Sequence, residues 1–189
     1  MSTAGAAKPP ATRVLRGAEL HRVHGDGKAA RWYGRRDATW RWDDPLGRFG
    51  VLYLGRSAVG PFAESLLRSP ADRDVLWSRV QQKRRAAFRV AEPLQLAKLH
   101  GEGLAWFGVT ANEIADDDYA VTQAIARRVH EESLLDGICY RSRFDNDELC
   151  VALFDRADAK LDLVSENDPI DKSWAGWILK RRGYRLVDL

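Results

Sequence analysis

Hydrophobic positions recur along this chain with two periods, one marking strands and the other helices. Alternation of apolar and polar residues, the mark of a half-buried strand, predicts a strand over 18–24, AELHRVH. Short apolar runs predict further strands over 49–54 (FGVLYL), 86–91, 94–99, 138–142, 149–154 and 161–164. Four-residue steps give the helices. Phe62 and Leu66 share one stripe, Val75, Leu76 and Val80 give a partial face over 72–82, and Val121, Ile125 and Val129 line the best helix, over 119–133. A short helix over 101–108, closed by glycine, and a tryptophan-containing helix over 173–182 complete the set.

Local punctuation agrees with this division. Asp43, Asp44, Pro45 and Gly47 mark a loop. Ser57 is placed to cap the helix carrying Phe62, with Pro61 in its first turn, where a missing N–H costs little. Glu64 lies off the apolar stripe, beside Gly60 and Pro61, which leave space next to its carboxylate. Asp136-Gly137 turns the chain into 138–142, and the polar stretch FDNDE makes a hairpin with 149–154. Asp116, Asp117 and Asp118 precede the best helix, and His130 stands near its end, where a charged imidazole suits the helix dipole.

A length of 189 residues suits one domain with a sizeable core. The expected organisation is a flexible leader over 1–12 followed by one compact α+β domain over 13–189. No run approaches the roughly 18–20 apolar residues of a membrane span, and the leader lacks the apolar stretch of a secretory signal. A cytoplasmic protein without membrane contact is expected. The formal net charge of +3 is small and dispersed. The segment 31–42 interleaves Arg31, Arg35, Arg36 and Arg41 with Trp32, Trp40 and Trp42, which suits stacked bases, but Asp37, Asp43 and Asp44 interrupt any phosphate track. Direct nucleic-acid binding is therefore not expected. Cys139 and Cys150 sit in apolar runs without metal-ligand spacing, as reduced core residues do, and no metal is called for.

The stretch 40–68, WRWDDPLGRFGVLYLGRSAVGPFAESLLR, gathers an arginine, a strand tyrosine and a helix glutamate. These three types suit an anionic ligand with a positive reacting centre. Taken singly, each has a plainer reading: Glu64 as a solvated helix residue, and Ser142 as a strand-end residue bonding to nearby backbone.

The order of motifs changes that balance. LHRVH, RWDD, VLYLG with FAES, TQAIA, and DGICYRSR with CVALFD, in succession from about Leu20 to Phe154, resemble the RES domain family, named for its arginine, glutamate and serine. The resemblance places the family arginine on Arg41, its strand tyrosine on Tyr53, its helix glutamate on Glu64 and its serine on Ser142, with an early arginine on Arg22. Trp40 stands where the family has a glycine, so a shifted loop would place the arginine on Arg48 instead. The resemblance implies a fold like that of ADP-ribosyltransferase toxins, built around a split sheet. It also implies an enzyme that destroys NAD+ by hydrolysis or phosphorolysis, with inorganic phosphate as a co-substrate in the second case and no metal. It implies a toxin with a separately encoded antitoxin, and a homodimer is compatible with it. Transfer of ADP-ribose, or a non-catalytic nucleotide- or partner-binding module, are the alternatives. In this scheme Arg41 or Arg48 anchors the pyrophosphate, Tyr53 stacks on nicotinamide, Glu64 stabilises the ribosyl cation, and Ser142 orients the carboxamide or a phosphate.

Overall fold

The computed structural model describes residues 8–34, 39–69 and 71–188. Arg35, Arg36 and Asp37 of the arginine- and tryptophan-rich segment, and the start of the expected leader, lie outside the described residues. The rest of that leader belongs to the fold: β1 (Ala11–Val14) pairs antiparallel with β6 (Leu94–Leu99), and Lys98 donates its N–H to Pro10 O at 2.8 Å.

Eight strands form one mixed sheet. The others are β2 (Glu19–Gly25), β3 (Val51–Gly55), β5 (Lys83–Val90), β7 (Gly137–Ser142), β8 (Asp145–Phe154) and β9 (Leu161–Pro169), in the order β1-β6-β7-β8-β3-β2-β5-β9. Neighbours run antiparallel except β6 and β7. One junction is nearly open. Strands β2 and β3 share only the pair His21↔Gly55 among the described residues, whereas β2 pairs with β5 along its whole length. The expected split in the sheet lies here.

Period-two alternation puts Leu52 and Leu54 in the core on one face, with Leu20, Phe88, Leu96 and Val151. Val51 faces the other way, with Ile138, Ala152 and Phe154, under α3 (Glu102–Phe107), α4 (Ala111–Ala115) and α5 (Ala120–Glu132). Cys139 and Cys150 are buried and free, and they belong to these two different clusters. A third cluster joins α1 (Val59–Leu66) to α6 (Lys172–Arg181), with Phe62 edge-on to Trp174 at 5.3 Å.

Four local expectations are corrected. The predicted helix over 72–82 is a strand, β4 (Asp74–Leu76), followed by a single turn, α2 (Trp77–Gln81). Its backbone pairs in parallel with β10 (Arg185–Val187), and the bidentate ion pair of Arg185 with Asp74 secures the register. Helix α5 is rotated from its predicted stripe: Val121 is 37% exposed, while Thr122, Ile125, Ala126 and Val129 are buried at helical spacing. Ser57 acts one residue outside the cap, its Oγ accepting the Val59 N–H at 3.1 Å while the helix starts after Ala58. Gly60 leaves no free space, because a Cβ there would meet Cys150 Sγ at 3.0 Å and Glu148 Cβ at 3.2 Å; the glycine lets α1 lie directly on β8.

His130 is also not the charged cap its position suggests. Its ring stacks on Phe49 at 4.2 Å and meets Phe154 edge-on at 5.2 Å, and burial lowers its pKa, with Arg156 adding to the effect. The neutral imidazole behaves as an aromatic core residue.

Two predictions follow from this packing. A Cβ at Gly55 would lie 2.4 Å from Pro61 Cδ and 2.7 Å from Ser57 O, so Gly55→Ala must push α1 off the strand end. Urea unfolding should show a loss of about 1–3 kcal/mol. Because the folded His130 holds its proton less tightly than an unfolded histidine near 6.5, the unfolded chain binds more protons as pH falls through that value. Stability should therefore decline below pH 6.5, and His130→Phe should make the decline shallower in denaturation series across pH 5–8.

Candidate functional site

The opening between β2 and β3 is a cleft of about 280 Å³. Arg22 and His24 come from β2, Tyr53 and Leu54 from β3, Glu64 from α1, and Tyr140 from β7. Trp40, Arg41, Tyr119 and Arg143 close it from the loops.

A loop over 39–48 delivers Arg41, and Tyr53 holds that loop. The Tyr53 hydroxyl donates to Asp43 Oδ1 at 2.9 Å and accepts the Trp42 N–H at 3.0 Å. Asp43 Oδ2 accepts the Trp40 N–H at 2.9 Å, and Gln123 Nε2 donates to Trp40 O at 3.1 Å. Trp42 is fully buried against Tyr140, with ring centroids 5.2 Å apart. With both neighbours tied inward, Arg41 faces the cleft over the Tyr119 ring at 5.9 Å, 8% exposed and without an ion pair among the described residues. Burial and the Asp43 charge raise the Tyr53 pKa well above its ordinary value. The phenol is a fixed donor rather than a base.

Arg48 has a different place. It pairs with buried Asp44 through Nε at 2.8 Å and with Glu131, and it does not line the cleft. The Arg48 hydrogen bonds draw the Asp44 pKa down to about 2. This guanidinium staples the loop to α5.

Arg22 is 8% exposed at the cleft wall. It donates from Nη1 to Trp32 O at 3.2 Å, and its Nε is buried with no partner among the described residues. Burial lowers its pKa to about 10, the nearby Tyr33 and Tyr53 partly opposing the shift. Glu64 is half-buried, with Oε1 likewise enclosed and without a hydrogen-bond partner among the described residues. A cation and a carboxylate thus face one cavity with bonding capacity unused, a costly arrangement that a bound ligand would relieve.

Ser142 is 2% exposed and does not line the cleft. Its Oγ accepts the Phe144 N–H at 3.3 Å and so shapes the turn that carries Arg143 and Phe144 into the wall. Arg143 is in turn held by Asp117, at 2.6 Å. The sequence reading missed Tyr140, Arg143 and Tyr119. Strand periodicity could have found Tyr140, two residues before Ser142 on the same strand face.

A family model described as the RES domain matches residues 19–175. The chain belongs to the RES domain family. The RES match begins with β2 and ends within α6, so it contains every residue of the cleft. Among solved structures, the RES fold here is similar to a chain of the crystal structure of the M. tuberculosis MbcT–MbcA toxin–antitoxin complex. The TM-score is 0.68 at 16% sequence identity, covering 90% of this chain and 91% of that one. At that identity the likeness speaks for the fold. No curated protein matches the chain.

Removing the Tyr53 hydroxyl isolates its effect on the loop. Tyr53→Phe strands the Trp42 N–H and one Asp43 oxygen contact, and chemical denaturation should show a loss of about 1–3 kcal/mol.

Proposed function

We propose that this RES protein cleaves the bond between nicotinamide and ribose in NAD+. The observation that carries the reading is the pairing of an under-bonded buried arginine with an under-bonded glutamate in one aromatic-lined cleft. A pyrophosphate suits Arg22 and Arg41, since a guanidinium fork binds two phosphate oxygens at once. The nicotinamide end suits the inner wall of Tyr53 and Tyr140, whose raised pKa values keep both phenols neutral.

In the reaction the C1′–N bond breaks and its electron pair leaves with neutral nicotinamide. Positive charge remains on the ribose, as in other glycosyl transfers. Glu64 stabilises that charge. Water or inorganic phosphate then forms the new C1′–O bond and releases a proton, giving ADP-ribose or its 1″-phosphate. Ser142 positions Arg143 and Phe144 rather than touching the ring. None of these steps calls for a metal. Family membership and the fold's likeness to a chain of a toxin–antitoxin complex support a toxin held in check by a separately encoded antitoxin.

Purified protein should release nicotinamide from NAD+, and chromatography with and without phosphate distinguishes the two products. Glu64→Gln should lower the rate by about 10²–10³-fold, as for loss of one transition-state electrostatic contact. Arg41→Ala should lose more activity than Arg48→Ala. Wild-type protein that leaves NAD+ intact at micromolar concentration would overturn the reading, and a labelled acceptor in place of free product would redirect it to ADP-ribosyl transfer.

A further inference from the structure

The outer part of the cleft carries a second cationic group, separate from Arg22 and Arg41. Lys28, Arg68 and Lys83 come from three different segments and line the same cavity. The Lys28 chain lies over Gly25, where an added Cβ would meet its Cδ at 3.8 Å, and Gly25 is the backbone partner of Lys83. Arg68 folds back along the end of α1, its Nε donating to Glu64 O at 3.0 Å. None of the three has an ion pair among the described residues, although Arg84 beside them is neutralised by Asp26 at 2.8 Å. Burial first, and then the charges of Arg68, Lys28 and Arg79, lower the Lys83 pKa.

Two of the three cations lie over indole rings. Lys28 Nζ stands 5.0 Å over Trp32, and the Arg68 guanidinium 4.5 Å over Trp40. Both tryptophans line the cleft. This outer region therefore sets indole rings beside cations that have no ion pair among the described residues. A single pyrophosphate, assigned above to Arg22 and Arg41, leaves this charge unanswered. A phosphate monoester carries about 1.5–2 negative charges at neutral pH and matches it better than a further diester would.

We propose that Lys28, Arg68 and Lys83 form a subsite for a phosphate monoester on the adenosine half of the dinucleotide, so that the cleft takes the 2′-phosphorylated dinucleotide, NADP+, as a substrate. The inference rests on the dinucleotide-cleaving function proposed above. The outer subsite sets which dinucleotide is consumed, while the inner groups act on either.

Steady-state kinetics with both dinucleotides at low ionic strength test it, using the wild type and the double variant Lys28→Glu/Lys83→Gln. Wild-type kcat/KM for NADP+ should equal or exceed that for NAD+. The double variant should lower the NADP+ value by about tenfold or more, the effect of at least one charge-assisted bond, and change the NAD+ value by no more than about twofold. Consumption of NAD+ without NADP+ by the wild type, or an equal loss for both substrates in the variant, overturns the subsite and leaves the proposed function standing. If neither dinucleotide is consumed, calorimetry with ADP-ribose and 2′-phospho-ADP-ribose separates the two ideas. Tighter binding of the phosphorylated compound, lost in the double variant, upholds the subsite while the proposed function falls. Equal or absent binding removes both.

Discussion

The divergence of β2 from β3 is the constraint on which the rest depends. Among the described residues, strands β2 and β3 meet at one residue pair, His21↔Gly55, and then part. A sheet interior that opens in this way exposes the flanks of both strands, and those flanks supply Arg22, His24, Tyr53 and Leu54 to one cavity. Gly55 makes the parting possible at the β3 end. With no side chain there, the chain turns at once into α1, and Pro61 packs against the strand terminus. Glu64 then arrives one turn further along the helix. The cleft, its carboxylate and its tyrosine are consequences of a single backbone event.

A site of this kind carries an energetic cost. Among the described residues, buried Arg22 lacks a partner for Nε and Glu64 Oε1 is enclosed without one, and each such group opposes folding by about 1–3 kcal/mol. The surrounding fold is built to tolerate it. Both faces of the sheet carry continuous apolar clusters, and α1 is pinned from behind by Phe62 against Trp174. Tyr53 shows how closely support and function are joined. Its ring forms cleft wall, and its hydroxyl fixes the loop that presents Arg41.

Much of this was legible along the chain, for identifiable reasons. The strands of the main sheet are short apolar or alternating runs bounded by turn residues, and the helix after β3 declares itself by Phe62 and Leu66. The RES motifs add Arg41, Tyr53 and Glu64, which the structure brings to one cleft. What was not legible depends on distant partners. The β4 segment has a helical pattern of apolar residues, and only its pairing with β10, at the far end of the chain, makes it a strand. His130 reads as a dipole cap until Phe49 is stacked on it. Val121 fits the helical stripe as well as Thr122 does, yet it is Thr122 that is buried.

Arg41 and Arg48 illustrate the same limit. Both are loop arginines next to an aromatic residue, and the sequence favours Arg41 only through the length of the loop to Tyr53. In the fold their surroundings differ. Asp43 is engaged by the Tyr53 hydroxyl and the Trp40 N–H, and Arg41, two residues before it, lines the cleft. Asp44 accepts from the Arg48 backbone N–H and side chain together, which commits that guanidinium to the loop itself. Two adjacent carboxylates thus accompany two similar arginines, one lining the cleft and one held on the loop. Among the described residues, the Tyr53 hydroxyl on β3 reaches Asp43 and not Asp44. A glycine before Arg41 would make the loop backbone more permissive. Trp40 instead lies against Arg68 at the rim of the cleft, joining the loop to the end of α1.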